Sequence, residues 1–255
     1  MSLPSFSLSG KVAVITGARR GIGKAIALAM AEAGAHVAIC DRVIEDGELS
    51  AVAEAVRRLG QRSLALQADT TRKADVDNFV SKVIEEFSTI DILVNNAAMN
   101  IRGGLLELGE ESWDKIINTD LKGYYLCSQA IGKQMVSQNK GNIINIASTA
   151  AMWAVVEMSA YCIAKAGVVM LTRVLALELA KYKIRVNAIA PSMVKTKFSE
   201  PLWRDPESLK EIESGIPLGR VAEPGDIVGS ALFLASDASS YITGHTIIVD
   251  GGSSA

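Results

Sequence analysis

The feature of this chain that most limits its fold is a regular alternation of short apolar runs and longer amphipathic stretches. Seven runs rich in β-branched residues predict strands buried on both faces, at residues 12–15, 37–39, 64–66, 92–94, 143–146, 186–189 and 247–249. The stretches between them predict helices over residues 23–32, 46–59, 73–86, 110–137, 160–181 and 226–235. This order predicts an α/β fold, a doubly wound, Rossmann-like parallel sheet of about seven strands with helices on both faces.

The domain organisation is predicted to be simple. No internal repeat or Pro/Gly-rich linker divides the 255 residues, so we expect a single domain over residues 1–255. Residues 192–219 break the alternation, because they carry Pro201, Pro206 and Pro217 together with Phe198 and Trp203. A connection of this length predicts a substrate lid over a pocket.

Composition and charge exclude several classes of function. A formal net charge of -2, with Lys and Arg scattered along the chain, gives no basic surface for nucleic acid or anionic membrane, so we expect small-molecule partners. The N-terminus lacks a basic segment followed by an apolar core, so neither export nor membrane insertion is expected. Cys40, Cys127 and Cys162 predict buried free thiols and a cytoplasmic location. His36 and His245 are isolated, so we expect no hydrolytic triad and no bound metal.

A glycine-rich turn follows the first predicted strand and opens the first predicted helix. Residues 16–23 read Thr-Gly-Ala-Arg-Arg-Gly-Ile-Gly. Glycines let the backbone approach a pyrophosphate, whose charge the helix N-terminus favours. A phosphate-binding NTPase loop fails on spacing, because Ala18 and Ala25 replace its first glycine and its hydroxyl, while a turn without ligand stays as the alternative. The predicted cofactor-binding residues here are Gly17, Arg19, Arg20, Gly21, Ile22 and Gly23.

Later motifs extend the pattern along the chain. Asn-Asn-Ala-Ala follows the fourth strand at 95–98, Pro191 follows the sixth, and Asp-Gly-Gly ends the last at 250–252. With the glycine turn and Ser148, Tyr161 and Lys165, residues 8–252 resemble the short-chain dehydrogenase/reductase family. The resemblance implies an NAD(P)-dependent oxidoreductase. It also implies further cofactor contacts at Asp69, Thr70, Asn95, Ala97, Pro191, Val194 and Thr196, although Asp69 is equally typical of a helix cap.

The residue at the end of the second strand bears on the choice of dinucleotide. Asp41 can accept hydrogen bonds from the adenosine ribose, which favours NAD over NADP. A 2′-phosphate beside it would be repelled by about 1 kcal/mol at 4 Å in water and about 4 kcal/mol at an effective dielectric of 20. Arg42 and Arg20 lie where basic residues could neutralise that phosphate, so NADP stays open.

A tyrosine and a lysine are placed to act together. Tyr161 and Lys165 lie four residues apart on a predicted helix and therefore share a face. A nearby ammonium favours phenolate, so Tyr161 can exchange a proton with a substrate oxygen while hydride moves at carbon. Ser148 follows the fifth strand and can polarise that oxygen. The resemblance also implies that Lys165 binds the nicotinamide ribose.

One position departs from the family. Members usually carry Asn within a Trp-Asp-x-x-x-x-x-Asn-Leu pattern, where it helps to hold a water linking the lysine to solvent. Here Asp120 stands at that place. A carboxylate could stabilise charged Lys165 and change the pH optimum. We therefore group Asp120 with the catalytic residues and expect activity with an altered proton relay.

The substrate is less well defined by the sequence. Apolar side chains near the predicted site could line its pocket, with ordinary core packing as the alternative; they are Met99, Met152, Trp153, Met193 and Phe198. We expect reversible oxidation of a secondary alcohol to a ketone. The alternatives are an NADPH-dependent 3-oxoacyl-(carrier protein) reductase and a catalytically silent dinucleotide-binding sensor or scaffold. Broad apolar faces on the helices at 110–137 and 160–181, together with the resemblance, predict a dimer or homotetramer.

Overall fold

The computed structural model describes residues 5–255, and the strands within them form one seven-stranded parallel sheet. In chain order the strands are β1 (Val12–Thr16), β2 (His36–Asp41), β3 (Ser63–Gln67), β4 (Ile92–Asn95), β5 (Gly141–Ile146), β6 (Ile184–Pro191) and β7 (Thr246–Val249). Their spatial order is β3-β2-β1-β4-β5-β6-β7. The predicted doubly wound fold is confirmed.

The helices lie between the strands. They are α1 (Gly21–Glu32), α2 (Glu48–Arg58), α3 (Lys73–Phe87), α4 (Glu110–Ile117), α5 (Gly123–Gln138), α6 (Ser159–Leu179), α7 (Glu200–Trp203), α8 (Pro206–Ser214) and α9 (Pro224–Ala235). The stretch predicted as one helix over 110–137 is interrupted by a π-helical turn, Asn118–Lys122. Such a turn inserts an extra residue and changes which side chains face inward. Asp120 lies in it and is fully buried.

The core occupies both faces of the sheet, because successive strand residues point to opposite sides. In β1, Ala13 and Ile15 pack with residues of α1, α2 and α9, while Val12 and Val14 pack with residues of α3 and α5. The prediction of complete burial is wrong for the edge strands. β3 and β7 are only partly buried, because an edge strand has a neighbour on one side only.

By length and composition alone, α6 with the turn that follows it (Ser159–Tyr182) could cross a membrane, because an 18-residue window within it has a mean hydropathy of 1.6. In the folded protein its inward face packs against β6. That face includes Tyr161, Lys165 and Val168, all of them buried. This face of the helix is therefore part of the core, while other side chains of the helix are exposed.

The three cysteines among the described residues are free. Cys40 and Cys127 are buried, as expected, and burial raises the pKa of the Cys127 thiol to about 12. Cys162 is only half-buried, so the prediction of a buried thiol is wrong there. Within residues 5–255 no group of three or more His, Cys, Asp or Glu side chains is arranged to hold a metal ion.

The strand order reverses between β1 and β4, and a crevice opens beyond their carboxyl ends. The loops that follow these strands are tied together there. The backbone N–H groups of Asn96 and Ala97 donate to Thr16 Oγ1, at 3.0 and 3.1 Å. Ligands of doubly wound sheets bind at such a switch point, so this crevice is where the predicted residues should meet.

Candidate functional site

Two glycines of the turn after β1 are required by packing against the loop after β4. Gly17 has a φ of +63°, and a Cβ on it would lie 2.7 Å from the Cα of Ala97. A Cβ on Gly23 would lie 2.5 Å from Asn96 Nδ2. Asn96 Nδ2 in turn donates to the carbonyls of Thr16 and Gly17, at 3.0 and 2.9 Å. Asn96 therefore supports the turn, a role that the sequence did not single out.

The third glycine and the start of α1 leave space for an anion. Gly21 has a φ of +57°, and a Cβ on it would lie 3.1 Å from Thr196 Cγ2. Among the described residues, no side chain caps the N-terminus of α1 and no acid lies in its first turn. The first N–H groups of a helix have no partner within it, so they can bind a pyrophosphate. The residues of this turn therefore fit a dinucleotide.

Arg19, rather than Arg20, reaches the acid at the end of β2. Arg19 Nε lies 3.6 Å from Asp41 Oδ1, and its Nη1 contacts Asp46 and lies 3.2 Å from Glu48. Arg20 is exposed. The sequence did not reveal Asp46 and Glu48, because their approach depends on how the connection from β2 to α2 folds back. Three carboxylates surround one guanidinium here, so the cluster carries excess negative charge.

Arg42 and Asp69 line an open depression beside the carboxyl ends of β2 and β3. Asp69 Oδ1 accepts hydrogen bonds from the backbone N–H and the hydroxyl of Thr71, at 2.9 and 2.7 Å. These contacts form an Asx turn before α3. The N-cap residue of α3 is Arg72, and within residues 5–255 no side chain caps this helix, so the helix-cap alternative for Asp69 is wrong. Thr70 is buried against the start of α5, where a Cβ on Gly123 would lie 2.9 Å from its Oγ1. The depression is large enough to admit an adenine ring.

Asn95 lies below the crevice rather than along it. Its Nδ2 donates to Ser128 Oγ at 3.0 Å and to Asn145 Oδ1 at 2.9 Å, and Asn145 Nδ2 donates to Thr172 Oγ1 at 2.9 Å. All four side chains are buried. Any contact of Asn95 with a cofactor would therefore come through its backbone.

Ser148, Tyr161 and Lys165 are brought together. Tyr161 and Lys165 are buried one turn apart on α6, and Lys165 Nζ lies 5.5 Å from the centroid of the Tyr161 ring. Ser148 follows β5, accepts the N–H of Ala150 at 3.1 Å and donates to the carbonyl of Pro191 at 3.5 Å. Pro191 ends the neighbouring β6, so both strands contribute to the site.

The surroundings of Tyr161 act on its acidity in opposite directions. Burial raises the pKa of Tyr161 to about 12, while the Lys165 ammonium and the nearby Ser148 hydroxyl lower it, and the charge of Asp120 raises it. The sequence argument considered the ammonium and the positive charge of an oxidised nicotinamide, and it did not include burial. Because burial is the larger effect, the phenol of the protein by itself is protonated at neutral pH.

Lys165 has two further neighbours, Asp120 and Tyr124. Its Nζ lies 3.3 Å from Asp120 Oδ2 and donates to Tyr124 Oη at 3.2 Å and to the carbonyl of Ile146 at 3.1 Å. Burial raises the pKa of Asp120 to about 6, although Lys165 and the N–H of Met99 lower it. Sequence reasoning missed Tyr124, because a tyrosine in an apolar helical stretch is typical of ordinary core.

The segment after β6 contacts both parts of the crevice. Val194 is buried, Thr196 faces Gly21 of the glycine turn, and the Phe198 ring lies 5.8 Å from the Tyr161 ring. Thr196 and Phe198 are two residues apart. The glycine turn and the tyrosine therefore belong to one site.

The other predicted substrate residues are less closely grouped. Met152 and Trp153 follow Ser148 and are exposed, and Trp153 lines a small depression with Asp250 of the C-terminal segment. Met99 and Met193 are half-buried. The N–H of Met99 donates to Asp120 Oδ1 at 2.8 Å, which ties this loop to the lysine environment.

Comparisons with known proteins show which sequences the chain is similar to. A family model described as enoyl-(acyl carrier protein) reductase matches residues 17–254. A 2-dehydro-3-deoxy-D-gluconate 5-dehydrogenase of Escherichia coli (strain K12) is 42% identical over 254 residues, or 99% of this chain and 98% of the relative. An NAD-dependent glycerol dehydrogenase of Listeria innocua is 41% identical over 249 residues, or 97% and 95%. A 3-oxoacyl-(acyl-carrier-protein) reductase of Synechocystis is 40% identical over 247 residues, or 96% and 98%.

Solved structures are similar over nearly the whole chain. A short-chain type dehydrogenase/reductase from Mycobacterium marinum has a TM-score of 0.92 at 40% identity and covers 98% of this chain and 97% of its own. A gluconate 5-dehydrogenase from Burkholderia cenocepacia J2315, in complex with NADP and tartrate, has a TM-score of 0.92 at 33% identity and covers 97% and 96%. Fold, site and likeness together define an α/β oxidoreductase that uses a nicotinamide dinucleotide. The chain belongs to the short-chain dehydrogenase/reductase family.

Proposed function

We propose that the protein interconverts a secondary alcohol and a ketone, with Tyr161 as its proton-transfer residue. One observation carries the proposal: Tyr161 and Lys165 are buried side by side, and the segment holding Thr196 and Phe198 joins them to the glycine turn. A phenol beside an ammonium, adjacent to a pyrophosphate cradle, is suited to proton exchange at a carbon that gains or loses hydride. A silent sensor would not need that pair.

Each residue has a distinct proposed task. A nicotinamide dinucleotide held at the glycine turn would supply the acceptor or donor of hydride for the substrate carbon. Tyr161 Oη takes the hydroxyl proton in oxidation and donates it to the carbonyl oxygen in reduction. Ser148 Oγ donates a hydrogen bond to the same oxygen, and the Lys165 ammonium stabilises the phenolate.

The test of this function is Tyr161→Phe. We expect turnover to fall by at least about two to four orders of magnitude, because the proton donor and acceptor is lost. Cofactor affinity, measured by fluorescence of the bound reduced nicotinamide, should stay within a few-fold of the wild type. Tyr241→Phe, at a fully exposed tyrosine, is the matched control and should keep full activity. Undiminished turnover by Tyr161→Phe would refute the assignment.

The proposed substrate is a small polyhydroxylated alcohol or its ketone. Relatives named for a deoxygluconate and for glycerol support this class. The relative named as a 3-oxoacyl carrier protein reductase supports the alternative. A panel of polyols, sugar acids, cyclic ketones and a 3-oxoacyl thioester, followed by nicotinamide absorbance with both cofactors, separates them. A strong preference for the thioester with NADPH would favour the alternative.

The proposed cofactor preference is NAD over NADP. Asp41 lies where the adenosine ribose is expected, and Arg19 is already paired with Asp46 and Glu48 as well as Asp41. A guanidinium so paired has little positive charge to offer a 2′-phosphate. Arg42, which lines the neighbouring depression, and the exposed Arg20 are the basic side chains noted above that could still favour NADP.

Substitution of Asp41 tests this preference. Asp41→Ser should lower the ratio of kcat/KM for NAD to that for NADP by roughly fivefold or more, because repulsion of about 1 to 4 kcal/mol at the phosphate is removed. Glu54→Gln, which neutralises an exposed acid on α2, should leave the ratio unchanged. An unchanged ratio in Asp41→Ser would mean that residues other than Asp41 determine the preference between NAD and NADP.

The domain, lid and assembly are also proposed. We propose that residues 1–255 act as one cytoplasmic domain and that residues 192–219 open and close over Tyr161. Large apolar side chains of α5 and α6 are exposed on the single chain, and this supports a dimer or homotetramer; they are Tyr125, Ile163, Met170, Val174 and Leu177.

A further inference from the structure

The surroundings of Lys165 contain an acid that the proton-transfer roles above do not use. Asp120 is the residue that the π-helical turn directs inward, and its side chain is fully buried. Its Oδ1 accepts the N–H of Met99 at 2.8 Å, and its Oδ2 lies 3.3 Å from Lys165 Nζ. The carboxylate therefore joins the loop after β4 to the lysine on α6.

A carboxylate matches both groups that face this position. The two groups, the N–H of Met99 and the ammonium of Lys165, are both donors. A carboxylate offers an acceptor oxygen to each, whereas the amide of Asn has one acceptor oxygen and would turn its NH2 group toward one of them. Asp120 therefore makes a direct ion pair with Lys165 that Asn at this position cannot make.

Tyr124 completes the coordination of the ammonium. It lies four residues after Asp120, and its Oη accepts from Lys165 Nζ at 3.2 Å while donating to the carbonyl of Ile146 at 3.0 Å. The ammonium donates hydrogen bonds to Tyr124 and to the carbonyl of Ile146, and it forms an ion pair with Asp120. Lys165 is thus held in one position at the back of Tyr161.

We propose that Asp120 is a positioning residue that acts through Lys165: the buried carboxylate partly cancels the charge of the ammonium and so sets the pH range in which Tyr161 exchanges protons. This inference rests on the proposed function. The titratable groups that face Asp120 are Lys165 and Tyr161 from α6 and Tyr124 from α5. The positive charge of Lys165 is balanced only when the Asp120 carboxyl group is ionised.

The expected pH dependence follows from the charge of Asp120. Burial raises the pKa of Asp120 to about 6, so it is neutral below that pH and ionised above it. Ionised Asp120 raises the pKa of Tyr161 and makes the phenolate scarcer. Asp120→Asn is permanently uncharged at this position and should resemble the wild type with a protonated Asp120.

The kinetic test compares rates of alcohol oxidation across pH. Below about pH 6, Asp120→Asn and the wild type should have similar kcat, and above it the variant should be roughly three- to tenfold faster, because its Tyr161 is more acidic. Tyr124→Phe keeps the carboxylate and should retain the wild-type break in the profile. Asp114→Asn, which neutralises an exposed acid on α4, should match the wild type throughout.

A spectroscopic test does not depend on turnover. Infrared difference spectra across pH 6 should show the carbonyl band of a buried protonated carboxyl group in the wild type and in Tyr124→Phe, and no such band in Asp120→Asn. The proposal would be overturned if the ratio of kcat between Asp120→Asn and the wild type were constant across pH, or if the wild type lacked the infrared band. The wild-type infrared band can be measured even if Asp120→Asn does not fold or if no alcohol is oxidised. A failure of the Asp120 proposal can therefore be told apart from a failure of the proposed function.

Discussion

At the scale of single residues, the glycines of the turn after β1 have different tasks. At Gly17 and Gly23 a side chain would collide with Ala97 and Asn96, so these positions require glycine. Gly21 instead faces Thr196 beside the space suited to a pyrophosphate. The sequence motif alone gives all three glycines the same role in binding a dinucleotide. Packing contacts assign two of them to stability, so substitutions there should affect folding before chemistry.

Gly23→Ala tests this assignment. Its Cβ would lie 2.5 Å from Asn96 Nδ2 and from the carbonyl oxygen of Gly17, so we expect a loss of about 1 to 3 kcal/mol in the free energy of unfolding. Urea denaturation measures the change. Gly229→Ala on α9 is the control, because its Cβ meets nothing within 4 Å, and it should be neutral or stabilising by up to about 1 kcal/mol. Equal stability of the two variants would contradict the packing argument.

At the scale of elements, the segment between β6 and α9 is organised by one tryptophan. Trp203 Nε1 donates to Ser199 Oγ at 3.0 Å and to the carbonyl of Thr196 at 3.3 Å. Phe198 lies between these two residues in sequence, so its position against the Tyr161 ring depends on the same contacts. Much of the rest of α7 and α8 is exposed, so few contacts hold that part of the segment in place.

Phe198→Ala tests whether this segment covers the site. Removal of a ring 5.8 Å from the Tyr161 ring should admit water beside the phenol and raise KM several-fold, with a smaller fall in kcat. Tyr241→Ala removes a fully exposed aromatic side chain elsewhere and should leave both constants unchanged. Wild-type KM in Phe198→Ala would mean that the segment does not act as a lid.

At the scale of the whole molecule, the exposed apolar face of α6 is the main departure from a self-sufficient fold. Met170 is 55% exposed and Leu177 is 84% exposed, although both lie on the helix that carries Tyr161 and Lys165. Apolar side chains grouped on one helix favour association between copies. Assembly would therefore also support the element that holds the proton-transfer pair.

The double variant Met170→Lys, Leu177→Lys should dissociate the assembly, because two charges would be buried at each copy of the interface. Analytical ultracentrifugation should show a species near the 27.0 kDa of one chain, and a dimer or tetramer for the wild type. Leu106→Lys, at a residue that is 94% exposed outside this face, should assemble as the wild type does. A monomeric wild type would refute the proposed interface.

The sequence by itself was sufficient for the fold, because strand and helix periodicity are local and a parallel order follows from their alternation. It also placed Ser148, Tyr161 and Lys165 together, since two share a helix face and the third follows a strand. It did not show the split of the helix at Asn118–Lys122, the acids around Arg19, the buried position of Asn95, or the contact of Tyr124 with Lys165. These features depend on contacts between side chains that are far apart in sequence. Burial and the neighbouring charged or polar groups then determine where each side chain lies and whether it is ionised.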